Sequence, residues 1–277
     1  MNKLKTGSIP LVDWAEGLEA LLLPIPTSES ELTADQLSKV RRNVSRTIER
    51  LSELARAWDP VRLPSTIFNP SDPAIMGPMI GLALLAQPRV PLGKVGRFYG
   101  SGVYAIYYRG DFDAYNPLKG AEHPIYVGKA DPKDPKADSP ILQGTKLADR
   151  LGEHARNIGR ASNLNLEDFE CRHLVVVSGW QGSAETFLIR LYEPVWNSET
   201  GICYGLGKHG DASTTRANKR SPWDTLHPGR TWAANGDQGD QHSEVSIRAR
   251  IAKHLQEHPP LWTIEEGVER FFAALRA

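Results

Sequence analysis

Apolar positions recur at three- and four-residue spacing in a long segment near the N-terminus. Thr33 and Gln36 form a capping-box pattern at the start of this segment. The apolar stripe that follows comprises Leu37, Val40, Val44, Ile48, Leu51 and Leu54. This spacing predicts an amphipathic helix that ends before Pro60. Such a stripe is typical of a helix that packs on a core, and a subunit interface is the alternative.

The middle of the chain alternates short β-branched and aromatic runs with amphipathic segments. Residues 102–108, 125–129 and 170–178 predict three strands, and the turn-rich linker between the first two indicates an antiparallel hairpin. Helices are predicted at about 146–158 and about 183–192. The order strand, strand, helix, strand, helix predicts a mixed α/β (α+β) core.

The flanks of this core are less regular. Residues 75–86 predict a buried helix between proline-rich loops, and residues 201–241 have the composition of a loop. Two further helices are predicted from Ser243 and from Thr263, the second with Glu266 as its capping-box partner. We therefore expect a helical N-terminal extension at 1–60, a core with its loops at 61–241, and terminal helices at 242–277.

Charge and cysteine content narrow the choice of function only slightly. The chain has 33 basic and 33 acidic residues, so a surface for nucleic acid would have to be a local patch. Cys171 and Cys203 are the two cysteines, which argues against a disulfide scaffold or a zinc site. No apolar run approaches the ~20 residues that span a bilayer, and the N-terminus lacks the pattern of a signal peptide. We expect a soluble, intracellular protein.

Five polar residues occur at suggestive places on the predicted elements. Tyr104 and Tyr126 lie on the first two strands, and Glu185 lies near the start of the second core helix. Arg150 and His154 are four residues apart on the first core helix, so they share one face. A carboxylate can bind Mg²⁺, a guanidinium can bind phosphoryl oxygens, and a tyrosine hydroxyl beside histidine can relay a proton. Together these groups predict hydrolysis of a phosphodiester, although each alone is a common packing, solvated or capping residue.

The same segments resemble a known family, the GIY-YIG nucleases. Gly102-Val103-Tyr104 and Tyr126-Val127-Gly128 match its two signature elements, and residues 147–154 match the helix that carries its arginine. The resemblance implies a three-stranded antiparallel sheet flanked by helices and one divalent metal, Mg²⁺ with Mn²⁺ as a substitute. It implies cleavage that leaves 5′-phosphate ends, with Glu185 as the metal ligand. The catalytic residues it implies are Tyr104, Tyr126, Lys129, Arg150, His154, Glu185 and Asn197. Asn197 would lie near the leaving oxygen, and capping of a helix terminus is its alternative role.

Further features resemble the restriction-endonuclease branch of that family. The linker between Tyr104 and Tyr126 is long, and His154 stands where many relatives carry tyrosine. Residues 68–73 and 223–230 are similar to restriction enzymes that cut CCGCGG. This resemblance implies a Type II enzyme in the cytoplasm of a bacterial or archaeal cell, with a cognate DNA methyltransferase as its functional partner. The alternatives are a repair or homing nuclease of the same family and a catalytically silent DNA-binding protein.

The basic residues between 205 and 230 are the predicted contacts to double-stranded DNA, with a solvated loop as the alternative. They are Lys208, His209, Arg216, Lys219, Arg220 and Arg230. A palindromic site has two-fold symmetry, so we expect a homodimer or a tetramer built from two dimers. The helix from Thr33 to Trp58 and the pair Phe271-Phe272 are the candidate interface elements.

Overall fold

A computed structural model describes residues 13, 17–18, 33–59, 61, 67–207, 219–233 and 239–276. The chain divides into two compact units, residues 1–67 and residues 68–277. In the first unit, helix α1 (Ala34–Trp58) starts with the predicted capping box between Thr33 and Gln36. None of the described residues of α1 is buried, and Leu37, Val40, Val44, Ile48 and Leu54 of its apolar stripe are exposed.

The second unit contains the predicted strands and helices. Its elements are α2 (Pro73–Leu85), β1 (Val90–Pro91), β2 (Gly102–Tyr108), β3 (Tyr126–Ala130), α3 (Pro140–Gln143), α4 (Lys146–Arg160), β4 (Phe169–Val175), α5 (Gln181–Tyr192), α6 (Pro222–Leu226), α7 (Glu244–Glu257) and α8 (Ile264–Arg276). Helix α6 lies within residues 201–241, which the sequence predicts to be more loop than regular structure. In the described part of the chain, no helix is both long enough and apolar enough to cross a membrane.

The sheet is antiparallel throughout, with the strand order β1-β4-β2-β3. The predicted hairpin of β2 and β3 and the third predicted strand, β4, are confirmed. A fourth strand, β1, adds two residues to the edge and pairs Val90 with Cys171. Two residues beside several prolines are too short a run for an alternating pattern to reveal.

Strand β2 is buried along its whole length because both of its faces are covered. Tyr104, Ile106 and Tyr108 point to one side, where they pack with α4 and α7, and we call this side the α4 face. The alternate residues of β2 point to the other side, where they pack with α2, α5 and α8, and we call it the α2 face. A central strand with two apolar faces explains the continuous apolar run in the sequence.

A directional chain of hydrogen bonds crosses the core on the α4 face. The indole of Trp196 donates to the hydroxyl of Tyr115 over 2.8 Å, and that hydroxyl lies 2.6 Å from Nε2 of His227. Burial lowers the pKa of His227 to about 3, so the ring is neutral and Nε2 accepts. The other ring nitrogen then donates to Oδ1 of Asn163 over 3.0 Å. These hydrogen bonds connect the segment after α6 to the rest of the unit.

The terminal pair Phe271-Phe272 divides between core and surface. Phe271 is fully buried against Phe187 at a ring distance of 5.2 Å, and a Cβ added at Gly81 would come within 2.4 Å of its ring. Phe272 is 50% exposed. The sequence left the pair open between an interface and core packing; Phe271 packs α8 on α2 in the core, and Phe272 stays a candidate interface residue.

This division generates a stability prediction with an internal control. Phe271→Ala should lower the free energy of unfolding by about 3–5 kcal/mol, because it removes a fully buried ring and leaves a cavity. Phe272→Ala should change it by less than about 1 kcal/mol, since half of its surface is already in water. Urea denaturation of both variants measures the difference, and equal losses would contradict the assignment of Phe271 to the core.

Candidate active site

The structure brings four of the predicted residues together on the α4 face. The hydroxyl of Tyr104 lies 2.6 Å from Nε2 of His154, and both side chains are fully buried. The ring of Tyr126 lies 6.1 Å from that of Tyr104 and 5.1 Å from that of His154. Arg150, one turn before His154 on α4, acts electrostatically on both tyrosines. Two paired strands and one helix therefore build a single cluster.

The glycine of the second signature element makes room for this cluster. Gly128 on β3 pairs directly with Tyr104 on β2. A Cβ at Gly128 would lie 2.4 Å from the Tyr104 hydroxyl oxygen and 3.1 Å from a ring carbon of Tyr126. Because real Cβ atoms do not approach that closely, only glycine lets the phenol of Tyr104 cross β3 toward His154. Gly102 has a similar constraint, since its Cβ would meet the carbonyl oxygen of Leu174 at 1.9 Å.

The guanidinium of Arg150 is held from one side by a carboxylate. Its Nη1 donates to both carboxylate oxygens of Glu153, over 3.0 and 2.9 Å. A Cβ placed on Gly207 would lie 2.6 Å from Nη2, so the backbone of Gly207 lies against the other side. About a third of the Arg150 side chain is exposed. Neither Glu153 nor Gly207 is recognisable from the sequence, because no residue pattern marks a neighbour of an arginine.

Burial sets the protonation of the two tyrosines. Loss of solvation raises the pKa of Tyr104 well above its ordinary value, and the neighbouring Tyr126 raises it further, while Arg150 acts in the opposite direction. Burial likewise raises the pKa of Tyr126. Both hydroxyl groups are therefore neutral at physiological pH, and a proton leaves Tyr104 only if an acceptor is already in place. Nε2 of His154, 2.6 Å from the hydroxyl, can be that acceptor in the tautomer that carries its proton on Nδ1.

Glu185 approaches the cluster from the opposite face of the sheet. It lies on α5, which packs on the α2 face, and reaches the edge of β3 beside Lys129. Burial raises the pKa of Glu185 to about 7, against the ammonium of Lys129, and the carboxylates of Glu199 and Asp131 add to the rise. Lys129 itself donates to Asp131 over 2.6 Å.

The surroundings of Glu185 fit a hard divalent cation. A partly buried carboxylate near the carboxylates of Glu199 and Asp131 offers oxygen atoms, the ligands that such a cation prefers. Among the described residues, no group of three or more metal-ligating side chains occurs. A cation here would take Glu185 as a ligand, with water and substrate oxygens completing its coordination. That arrangement is typical of Mg²⁺, which keeps several of its waters.

Asn197 binds the backbone at the open edge of β3. Its Oδ1 accepts from the N–H of Val127 over 2.9 Å, and its Nδ2 donates to the carbonyl of Val127 over 2.8 Å. The side chain is buried, and its two bonds to Val127 replace the hydrogen bonds that a neighbouring strand would make. Neither interpretation from the sequence, proximity to the leaving oxygen or capping of a helix, describes these two bonds.

The predicted DNA contacts fall into three groups. Lys219 is exposed, and Arg220 forms an ion pair with Asp240 over 2.7 Å while staying partly accessible. Both therefore stay candidates. The predicted contacts Lys208, His209 and Arg216 lie outside the described residues.

Arg230 requires a correction. Its side chain is completely buried and pairs with the buried carboxylate of Asp224 over 2.7 Å. It also donates to the carbonyl oxygens of Leu206 and Gly205, over 3.0 and 2.9 Å. The predicted contact between Arg230 and DNA is wrong for this structure, because its guanidinium is enclosed by protein.

The arrangement of these side chains is that of a GIY-YIG nuclease. It consists of two tyrosines on paired strands, an arginine and a histidine on the helix packed over them, and a glutamate at the strand edge. Residues 96–255, more than half of the chain, match the model of the Eco29kI GIY-YIG domain. The chain therefore belongs to this family of restriction endonucleases with a GIY-YIG fold. None of the curated proteins matches the chain.

The role of Gly128 generates a prediction. Gly128→Ala should reduce DNA cleavage by at least about a hundredfold, because the added methyl group displaces the Tyr104 hydroxyl from His154 and misplacement by 1 Å can cost that much. Gly159→Ala is the matched control, since its Cβ on α4 would meet nothing within 4 Å. Initial cleavage rates measure both. Normal cleavage by Gly128→Ala would contradict the need for Tyr104 to cross β3.

Proposed function

We propose that this nuclease is a Type II restriction endonuclease, which hydrolyses double-stranded DNA at a short palindromic, G/C-rich site. CCGCGG is the sequence that the likeness of residues 68–73 and 223–230 favours. The observation that carries the proposal is the 2.6 Å contact between Tyr104 and His154, beside Arg150 and close to Glu185. The match to a family of restriction endonucleases supports the same conclusion.

Proton transfer in this proposal runs from water through Tyr104 to His154. Tyr104 is fully buried, whereas Tyr126 and Arg150 keep part of their surface exposed, so the attacking water enters between these two. The hydroxyl of Tyr104 accepts a proton from the water as it donates its own to Nε2 of His154. The relay avoids a free phenolate, which burial disfavours.

Arg150 binds the scissile phosphate in this scheme. Its Nη1 is held by Glu153, the guanidinium also bonds the hydroxyls of Tyr104 and Tyr126, and its exposed part would bind phosphoryl oxygens. A fixed guanidinium stabilises the charge that grows on the phosphate without having to reorient during the reaction. Lys129 can move from Asp131 to a DNA oxygen, since both partners are partly exposed.

Glu185 would hold Mg²⁺, with Mn²⁺ as a substitute. The bound cation would stabilise the leaving 3′-oxygen as a Lewis acid, which is consistent with 5′-phosphate ends. Glu185 must be ionised to bind it, and its pKa of about 7 makes metal binding compete with a proton at neutral pH. Asn197 keeps β3, and therefore Tyr126, in place at the edge where Glu185 arrives.

The cell context of the proposal is the bacterial or archaeal cytoplasm, with a cognate DNA methyltransferase that protects the host's own sites.

Two alternative functions can be distinguished from this proposal by a plasmid cleavage assay with Mg²⁺ or EDTA. Discrete metal-dependent fragments support a restriction enzyme, a smear supports another GIY-YIG nuclease, and intact plasmid with a gel shift supports a silent DNA-binding protein. Either of the last two results would contradict the proposal.

The metal site generates a prediction for Glu185→Gln. Cleavage should be abolished while DNA binding stays within about tenfold, because a neutral amide is a poor ligand for Mg²⁺. In the wild type, the rise in Tm on adding Mg²⁺ should grow between pH 6 and pH 8, as Glu185 ionises through its pKa of about 7. The variant should show no such growth.

The metal-free protein provides an independent check of the same residue. A raised carboxyl pKa penalises the folded state above the ordinary pKa of glutamate, and the penalty is complete above about pH 7. Glu185→Gln should therefore raise Tm at pH 8 and leave it nearly unchanged at pH 4. Glu167→Gln, an exposed residue away from the site, is the control. An unchanged Tm at pH 8 would contradict the burial of the Glu185 carboxylate.

The assembly proposed is a homodimer or a tetramer of two dimers, since one metal site cuts one strand and a palindrome offers two equivalent half-sites. The exposed apolar stripe of α1 is the proposed interface. Val44→Glu should dissociate the assembly in light scattering, because it buries a charge, whereas Ser45→Glu on the neighbouring face should not. A wild-type monomer that cuts both strands without a nicked intermediate would contradict the proposal.

A further inference from the structure

We propose that the buried ion pair of Arg230 and Asp224 positions Arg150 for the reaction. The pair does so by fixing the backbone of residues 205–207 against the guanidinium of Arg150. This inference rests on the proposed role of Arg150 in binding the scissile phosphate. Arg230 would thus act on cleavage through another residue, without touching DNA.

The pair itself is enclosed and fully bonded. Nε of Arg230 donates to Oδ1 of Asp224 over 2.7 Å, with both side chains at most 1% exposed. The hydroxyl of Ser221 donates to the other oxygen of Asp224, and the guanidinium lies 4.6 Å from the centre of the Trp223 ring. The pair is therefore a fixed point within the unit, with a single orientation of the guanidinium.

The remaining nitrogens of Arg230 bind the segment that passes Arg150. Nη1 donates to the carbonyl of Leu206 over 3.0 Å, and Nη2 donates to the carbonyl of Gly205 over 2.9 Å. Asn157, on α4, also donates to the Leu206 carbonyl, over 3.1 Å. Without Arg230 the buried carbonyl of Gly205 would lose its donor and that of Leu206 would keep only Asn157, which is costly, so the segment would move toward water.

The next residue, Gly207, contacts the active site. A Cβ at this position would lie 2.6 Å from Nη2 of Arg150 and 3.7 Å from Cε1 of His154. Arg150 is thus confined between Glu153 and Gly207, and a shift of the segment would release one side of the guanidinium. Because a phosphate-binding fork depends on its direction as well as its charge, release would slow cleavage more than it weakens binding.

The choice of arginine supports a geometric role. Arg230 uses donors in three directions, toward one carboxylate and two backbone carbonyl groups, which a lysine ammonium cannot reach at once. A buried ion pair contributes little stability over an apolar pair of similar volume. What it supplies here is a definite orientation for two consecutive carbonyl groups.

The test compares two buried arginines. Arg172, on β4, pairs with Glu122 over 2.6 Å and donates to the carbonyl of Gln87, on the side of the sheet away from Tyr104. Arg230→Lys should lower the single-turnover cleavage rate constant by about 10- to 100-fold and change the Kd for DNA by less than about threefold. Arg172→Lys should leave the rate constant within about threefold, even if its Tm falls by a similar amount.

A double-mutant cycle tests the route of the effect. Gly207→Ala should also slow cleavage, since its methyl group displaces the Arg150 guanidinium. If Arg230 acts through this contact, the double variant should be no slower than the slower single variant. Independent, multiplied losses would overturn the inference.

Hydrogen–deuterium exchange of residues 203–207 provides a readout that needs no cleavage. Exchange there should rise in Arg230→Lys and not in Arg172→Lys. Unchanged exchange, a normal cleavage rate with raised exchange, or a loss confined to Kd would each overturn the inference. If wild type cuts no DNA, the proposed function fails, while the exchange comparison still decides whether Arg230 holds the segment. If Arg230→Lys does not fold, Asn157→Ala removes one bond to Leu206 and is judged by the same criteria.

Discussion

The close passage of the Tyr104 phenol over Gly128 is the constraint on which the rest of the site depends. It requires β2 and β3 to pair in one register, because a shift by one residue would turn Tyr104 to the other face. It requires α4 to present His154 at the far end of the phenol. Strand pairing, helix placement and a missing side chain therefore all act on a single oxygen atom, which explains why the tyrosine at 104 requires glycine at 128.

The site is assembled at the edge of a sheet and draws on both of its faces. Tyr104, Tyr126, Arg150 and His154 come from the α4 face, and Glu185 comes from a helix that packs on the α2 face. Strand β3 is where the two sets meet, because it is the last strand on its side. An open strand edge usually invites further pairing. Here the amide of Asn197 occupies part of that edge and leaves the remainder for the acidic and basic side chains.

The parts of the molecule that local patterns encode were predictable from the sequence. The strands, the core helices and the capping boxes at Thr33 and Thr263 follow from periodicity and cap chemistry, and the structure has them. The family followed from residue types in a given order, and the match to the Eco29kI GIY-YIG domain confirms it. Burial of individual charged residues was not predictable in this way. Arg220 and Arg230 look alike in a basic stretch of sequence. Of the two, only Arg230 is paired with a buried carboxylate, that of Asp224, which lies six residues earlier in the chain.

Among the described residues, two buried tyrosine–histidine pairs have the same separation of 2.6 Å, Tyr104 with His154 and Tyr115 with His227. The first lies beside an arginine and the second beside an indole and a thiol. One molecule therefore carries an internal reference for its own reactive pair. Differences in hydroxyl proton chemical shift between the two pairs would report their different neighbours, the guanidinium at one and the indole and thiol at the other, at the same oxygen–nitrogen distance.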